Sequence, residues 1–448
     1  MSKQVSQPNR FWAAIAIATM AAAYSLTASA ATPLPTAAPE DVGMSSERLK
    51  KITDFFDKEV QAGRLPGGVI AIARQGKLVM HESFGKQNPS QEGDMPVDAI
   101  FRIYSMTKPL VSVAAMQLVE DGTVQLTDPI SKWLPAFDNV KVSVSKKGSD
   151  GTQSYEQVPA EKPITVHDLL RHTAGLAYGE ITSNEEVKKA YEAAGVYKPG
   201  KGEFDSRDMS PEDQVAAMAK APLIHQPGTV WEYSMASDIL GRVVESASGK
   251  PLADFLRERT FEPLKMDDSG FHIESAKQSR LADAYDTDPW SKKSYPLLDV
   301  SSPPANASGG AGAVSTALDY LRFAQMLLNG GTLDDATVLS PTTINLMASD
   351  HLGDRKSNPV NPGALLLGTP EGYTFGLGFL VRQDYGMAGV HGSPGEFMWA
   401  GYAGTFFWVD PIEELAVVFM SQQSGPSRAY YRRAMKNLVG QAIVESEM

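Results

Sequence analysis

The chain has 448 residues, 42% of them hydrophobic, with 53 acidic side chains against 41 Lys and Arg and a formal net charge of −12 at pH 7. An acidic surface without basic clusters repels phosphate backbones and anionic lipid headgroups, which argues against nucleic-acid and membrane-surface roles and favours small neutral or cationic substrates. The absence of cysteine excludes disulfides, thiolate metal sites and a cysteine nucleophile together, and leaves the packing of a large core as the source of stability.

In chain order, the first signal is an address. Lys3 and Arg10 precede an apolar run from Phe11 to Leu26 that ends at Ala28-Ser29-Ala30, the pattern of a secretory signal peptide over residues 1–30, with a signal anchor as the alternative. Its removal lowers the net charge from −12 to −14. No second apolar run long enough to span a bilayer follows, so residues 31–448 are expected to form a periplasmic or secreted bacterial protein without stable membrane insertion. No cysteine follows the run, so lipid attachment there is excluded.

Leu49, Ile52, Phe55, Phe56 and Val60 recur at helical spacing and predict an amphipathic helix starting near Ser45 or Ser46. Val69–Arg74 and Lys77–Ser83 are β-rich runs around Gln75-Gly76 and predict a hairpin. An extended segment, Phe101–Tyr104, runs into a helix from Pro109 to Asp121 that is apolar nearly all round and closes at Gly122. From Pro109 to Glu274 the pattern is mostly helical with few strand signals, and helix starts such as Ser210-Pro211-Glu212-Asp213 punctuate it. The polar stretches Lys146–Gln157 and Glu185–Asp208 are expected to be exposed loops. Thr405–Val409 and Ala416–Met420 predict a second strand pair around Asp410-Pro411, followed by a C-terminal helix. The expected fold is α/β (α+β). An antiparallel sheet built from both chain ends (about 42–105 and 305–448) is flanked by helices, and a mostly helical subdomain (about 106–304) is inserted. A ligand cleft is expected between the two.

Ser105-Met106-Thr107-Lys108 stands where the extended segment meets the apolar helix. Residues three apart share a helical face, so Ser105 and Lys108 can meet. A helix start aims N–H groups and partial positive charge at whatever sits there, and a lysine held in a desolvated pocket can serve as a base. Alone, Ser-x-x-Lys is a weak pattern. Tyr233-Ser234-Met235 lies between a strand-like run and an apolar-periodic helix through Leu240, Val243 and Val244, where plain core packing is the alternative. Trp399-Ala400-Gly401-Tyr402 precedes a strand, and its small residues either let a ligand approach the backbone or mark a bulge.

Taken together, Phe101–Pro109, Leu169-Leu170-Arg171-His172-Thr173-Ala174-Gly175-Leu176, the Tyr233 segment, Gly309–Gly312 running into Ser315–Tyr320, Trp399-Ala400-Gly401 and Phe407–Pro411 resemble the family VIII carboxylesterases, relatives of class C β-lactamases. The resemblance covers nearly all of residues 42–445. It implies a penicillin-recognising, β-lactamase-like fold and a serine hydrolase that needs no cofactor or metal and cleaves short-chain acyl esters of small molecules through an acyl-enzyme. Ser105 would be the acylated nucleophile, Lys108 the base or proton relay, and Tyr233 its proton-transfer partner. The backbone N–H groups of Ser105 and Tyr402 would form the oxyanion hole. Trp399, Gly401 and Met235 would contact the substrate. Met235 and Trp399 depart from the β-lactamase pattern, which usually has an asparagine and a lysine there, and both changes favour neutral esters over penicillin-like anions. A β-lactamase, a D-amino-acid peptidase or amidase, and a non-catalytic penicillin-binding-like module remain the alternatives.

A rival third motif, His391-Gly392-Ser393, is second choice because it lies farther from Asp410-Pro411 than such motifs usually do. No Gly-x-Ser-x-Gly elbow exists, and Gly309–Gly312 lacks a phosphate-loop ending, so it reads as a turn that brings backbone near the cleft. His167 and His172 lack an acidic ligand pattern and read as structural. Asn306-Ala307-Ser308 fits a glycosylation acceptor only formally.

Overall fold

A computed structural model describes residues 1–2, 33–199, 207–357, 360–369 and 371–446. The leader sequence, apart from its first two residues, lies outside them. The helix Ser46–Gln61 starts where the sequence predicts: Ser45 caps it by accepting from the Arg48 N–H at 3.3 Å. The strands Gly67–Arg74 and Lys77–Gly85 follow as an antiparallel hairpin. Gln75 and Gly76 both adopt positive φ, the backbone that matches a two-residue turn to the strand twist.

These strands join five from the other end of the chain in one seven-stranded antiparallel sheet. Its order is Tyr373–Phe375, Leu380–Arg382, Phe397–Ala400, Phe406–Asp410, Leu415–Ser421, Gly67–Arg74 and Lys77–Gly85. Gly67–Arg74 is buried along its whole length because helices cover both faces, which is why its sequence is a continuous apolar run rather than an alternating one. On one face, Phe56 of the first helix stacks on Phe84 and Phe419 at 4.9 and 5.0 Å, with Tyr431 of the C-terminal helix Arg428–Gly440 beside it. On the other, Tyr320 of the helix Ala317–Leu328 meets Phe407 at 4.9 Å. Phe407 is the cross-strand partner of Trp399, so Trp399 shares that second face.

The buried helix Thr107–Glu120 packs against Ala236–Ser248 in the intervening segment. Pro211–Lys220 begins at the expected cap, with Ser210 Oγ accepting from the Asp213 N–H. Two expectations fail here. Lys146–Gln157 is no loop: Lys141–Lys147 and Gln153–Pro159 pair as a β-hairpin whose tip closes when Asp150 accepts from the Thr152 N–H. Most of its side chains are exposed, so backbone pairing holds it without the apolar alternation that marks a strand in sequence. Within Glu185–Asp208, residues Glu185–Ala193 form a helix capped by Asn184, with Val187 and Tyr191 buried one turn apart. Among the described residues, no helix is long and apolar enough to cross a membrane.

Candidate active site

Ser105 sits in a short 3₁₀ turn, Tyr104–Met106, that leads directly into Thr107–Glu120. The turn is strained and pinned. Tyr104 takes φ +44°, its hydroxyl accepts from the Leu298 N–H, and the Tyr320 hydroxyl donates to the Met106 carbonyl at 2.8 Å. Tyr320 stays a neutral donor because burial pushes its phenol well above the ordinary range. One turn along, Lys108 is buried and its ammonium donates to three oxygens: Ser105 Oγ at 3.2 Å, the Tyr178 hydroxyl at 3.1 Å and the Gly310 carbonyl at 2.7 Å. Three donors thus find three acceptors. The Tyr233 hydroxyl lies 2.7 Å from Ser105 Oγ, and the Lys108 Nζ is 4.7 Å from the centre of its ring. The structure therefore brings Ser105, Lys108 and Tyr233 together.

Tyr233 follows a two-residue strand, Val230–Trp231, and precedes Ala236–Ser248. Its loop is held by the Leu169–Leu176 motif. His172, at φ +55°, offers its carbonyl to the Glu232 N–H and hydrogen-bonds the Ser234 hydroxyl through Nδ1, while its ring packs 5.1 Å from that of Tyr233. Burial, with Lys108 nearby, pushes His172 well below the usual histidine range, so it is a neutral support. His167 lies elsewhere, paired with His351 at 2.9 Å, and burial brings it down to about 4. Asn306 is buried against Gln214 rather than presented as an acceptor on the surface.

Trp399 lies in the strand Phe397–Ala400, buried, with its ring 5.5 Å from that of Tyr233. Gly401 is required where it stands, because a Cβ there would overlap the Ile103 carbonyl and the Thr405 hydroxyl. That close approach brings the Gly401-Tyr402 backbone up to the segment that carries Ser105. Tyr402 is half-buried, its ring 5.5 Å from Tyr104. Met235 is buried at the head of Ala236–Ser248. His391 is exposed and hydrogen-bonded to Asn437 of the C-terminal helix, on the face of the sheet away from Trp399.

Sequence reading missed several residues that complete this geometry. Tyr178 stands two positions beyond the Leu169–Leu176 motif and has no signal of its own. Asp238 accepts from the Ser308 hydroxyl at 2.6 Å and the Gly310 N–H at 3.2 Å, which aims the Gly310 carbonyl at Lys108. A Cβ on Gly310 would strike Asp238. The glycine run Gly309–Gly312 thus does bring backbone to the site, as its composition suggests. Arg428 and Arg432 reach the same strand end from the C-terminal helix: Arg428 donates to the Tyr402 carbonyl at 3.0 Å and Arg432 to the Gly401 carbonyl at 2.8 Å.

The family described as Beta-lactamase matches residues 52–440. Esterase EstB of Burkholderia gladioli is 31% identical over 425 residues, 90% of this chain and 97% of EstB. An uncharacterized protein of Mycobacterium tuberculosis is 35% identical over 373 residues, 81% of this chain and 86% of that protein. Among solved structures, EstCE1, "a hydrolase with promiscuous acyltransferase activity", superposes with a TM-score of 0.71 at 26% identity, covering 89% of this chain and 98% of its own. The chain belongs to the β-lactamase family of serine hydrolases.

Proposed function

We propose that this protein is a carboxylic ester hydrolase that forms an acyl-enzyme on Ser105. The observation that carries the reading is the convergence of the Tyr233 hydroxyl and the Lys108 ammonium on Ser105 Oγ, at 2.7 and 3.2 Å. Ser105 Oγ attacks the ester carbonyl, and its proton passes to the Tyr233–Lys108 pair, which accepts it in the state one proton short of a neutral phenol beside an ammonium. The carbonyl π electrons move to oxygen, where the Ser105 and Tyr402 N–H groups receive the charge. Collapse of the tetrahedral intermediate expels the alcohol, which takes the proton back. Water then repeats the sequence on the acyl-enzyme.

Buried Trp399 and Met235 offer no cation or amide to a penicillin-like anion, and EstB is itself named an esterase. A nucleophile only 6% exposed, beside aromatic rings, suits a short acyl group. The test is turnover of p-nitrophenyl acetate, butyrate and dodecanoate beside nitrocefin. Acetate and butyrate should be hydrolysed fastest and nitrocefin slowly. Faster nitrocefin than ester turnover would assign the site to lactams instead.

We also infer export to the periplasm or medium, supported by the Lys3/Arg10 charge, the apolar run and the Ala28-Ser29-Ala30 end. Mass spectrometry of the protein purified from its native host should give a chain beginning at Ala31. A chain still starting near Met1 in the cytosolic fraction would refute it.

A further inference from the structure

Most buried cations of this protein meet a carboxylate. Arg74 pairs with Glu413 at 2.8 Å, Arg171 with Asp168 at 3.0 Å, and Arg382 and Lys436 share Glu396. Arg432 is different. It is 5% exposed, and among the described residues no carboxylate lies within ion-pair distance of it. Its guanidinium donates to two backbone carbonyls, Leu366 at 3.0 Å and Gly401 at 2.8 Å, while its Nε has no acceptor among the described residues. Burial and the neighbouring Arg428 both disfavour the charged form of its guanidinium, and arginine nonetheless stays protonated inside proteins. A buried charge without a counter-ion is costly, and a carboxylate or an apolar residue would relieve the cost. The position makes sense if the counter-charge arrives with the reaction.

The Gly401 carbonyl belongs to the same peptide group as the Tyr402 N–H. A charge-assisted hydrogen bond to one end of a peptide polarises the other end, and donors aimed at developing charge in a water-poor site need no reorganisation. Arg428 holds the next carbonyl along, Tyr402, with its guanidinium 4.8 Å over the Tyr402 ring, so both peptides around the N–H are braced.

We propose that Arg432 is a positioning residue for acyl transfer: by binding the Gly401 carbonyl it orients and polarises the Gly401–Tyr402 peptide, strengthening the Tyr402 N–H as a donor to the oxyanion. This rests on the reading of Ser105 and Tyr402 as the oxyanion hole of an esterase. The C-terminal helix is then part of the catalytic apparatus rather than only a cover for the sheet.

The test compares wild type with Arg432→Met and Arg432→Lys. Three readouts are taken: kcat/KM for p-nitrophenyl acetate, inhibition by phenylboronic acid, whose adduct on Ser105 mimics the tetrahedral anion, and inhibition by benzyl alcohol, which carries no oxyanion. In Arg432→Met, kcat/KM should fall roughly 10- to 100-fold and phenylboronic acid should weaken by the same factor, because both report stabilisation of the oxyanion. Benzyl alcohol should bind as before, and Arg432→Lys should lie between. Equal weakening of both inhibitors, or a lowered Tm with boronate affinity unchanged, would overturn the proposal and leave Arg432 a structural staple. If Arg432→Met does not fold, Arg432→Lys and Arg428→Lys carry the same comparison. Failure of the esterase reading looks different: wild-type protein would then not hydrolyse the ester.

Discussion

Ser105→Ala, Lys108→Ala and Tyr233→Phe should each lower ester turnover on the order of 10³-fold or more, with double variants little worse than singles. Under the proposed mechanism the three act as one proton-transfer unit. Ser105 Oγ has one proton to lose, and among the described residues the Tyr233 and Lys108 polar atoms are the side-chain groups within hydrogen-bond reach of it. Lys108 is also tied to Tyr178 and Gly310, so it cannot swing to compensate for a missing tyrosine. Removing any member leaves the others without a step to serve. His391→Ala is the control and should stay within about twofold of wild type, since substitutions away from the reacting atoms and the core have small effects. Steady-state kinetics on p-nitrophenyl butyrate, with a serine-directed fluorophosphonate to label Ser105, checks all of this. Loss of activity in His391→Ala with Tyr233→Phe near wild type would make His391-Gly392-Ser393 the working third motif. Intact protein that gains no mass at Ser105 would favour the non-catalytic binding module.

Gly401→Ala should lower turnover on the order of 10²-fold or more, because misplacement of a reacting group by about 1 Å is enough for such a loss. The added methyl would overlap the Ile103 carbonyl and the Thr405 hydroxyl. Ile103 precedes the strained Tyr104-Ser105 turn, and its carbonyl also accepts from the Met106 N–H and the Thr405 hydroxyl. Relief of the clash must therefore part the Gly401-Tyr402 backbone from the segment carrying Ser105, which under the proposed mechanism separates the two N–H groups of the oxyanion hole. The Tm should fall as well, since Gly401 N–H donates to the Thr405 carbonyl in the turn before Phe406–Asp410. Gly386→Ala is the comparison: a Cβ there meets nothing, so activity and Tm should both hold. Unchanged turnover in Gly401→Ala would mean that the Trp399–Tyr402 segment does not bound the reacting atoms.

By itself, the sequence determined the two strand pairs near the chain ends, the buried helix and the meeting of Ser105 with Lys108, because each is written in a local code. Continuous apolar runs mark Gly67–Arg74 and Leu415–Ser421, and a spacing of three within a helix brings Ser105 and Lys108 together. Tyr233 and Trp399 came from motif order rather than from periodicity. Where the local code is faint, reading failed. The Lys141–Pro159 hairpin has few buried side chains to leave an alternation, and the helix Glu185–Ala193 buries too few residues to announce itself among polar neighbours. The rest of the site was decided only in three dimensions. Tyr178 meets Lys108 from 70 positions away, Gly310 from 202, and Arg432 meets Gly401 from 31. His172 and Asp238 act through loops whose shape depends on the elements they join. Such contacts follow from sheet register and helix packing, and neither period two nor period 3.6 encodes them.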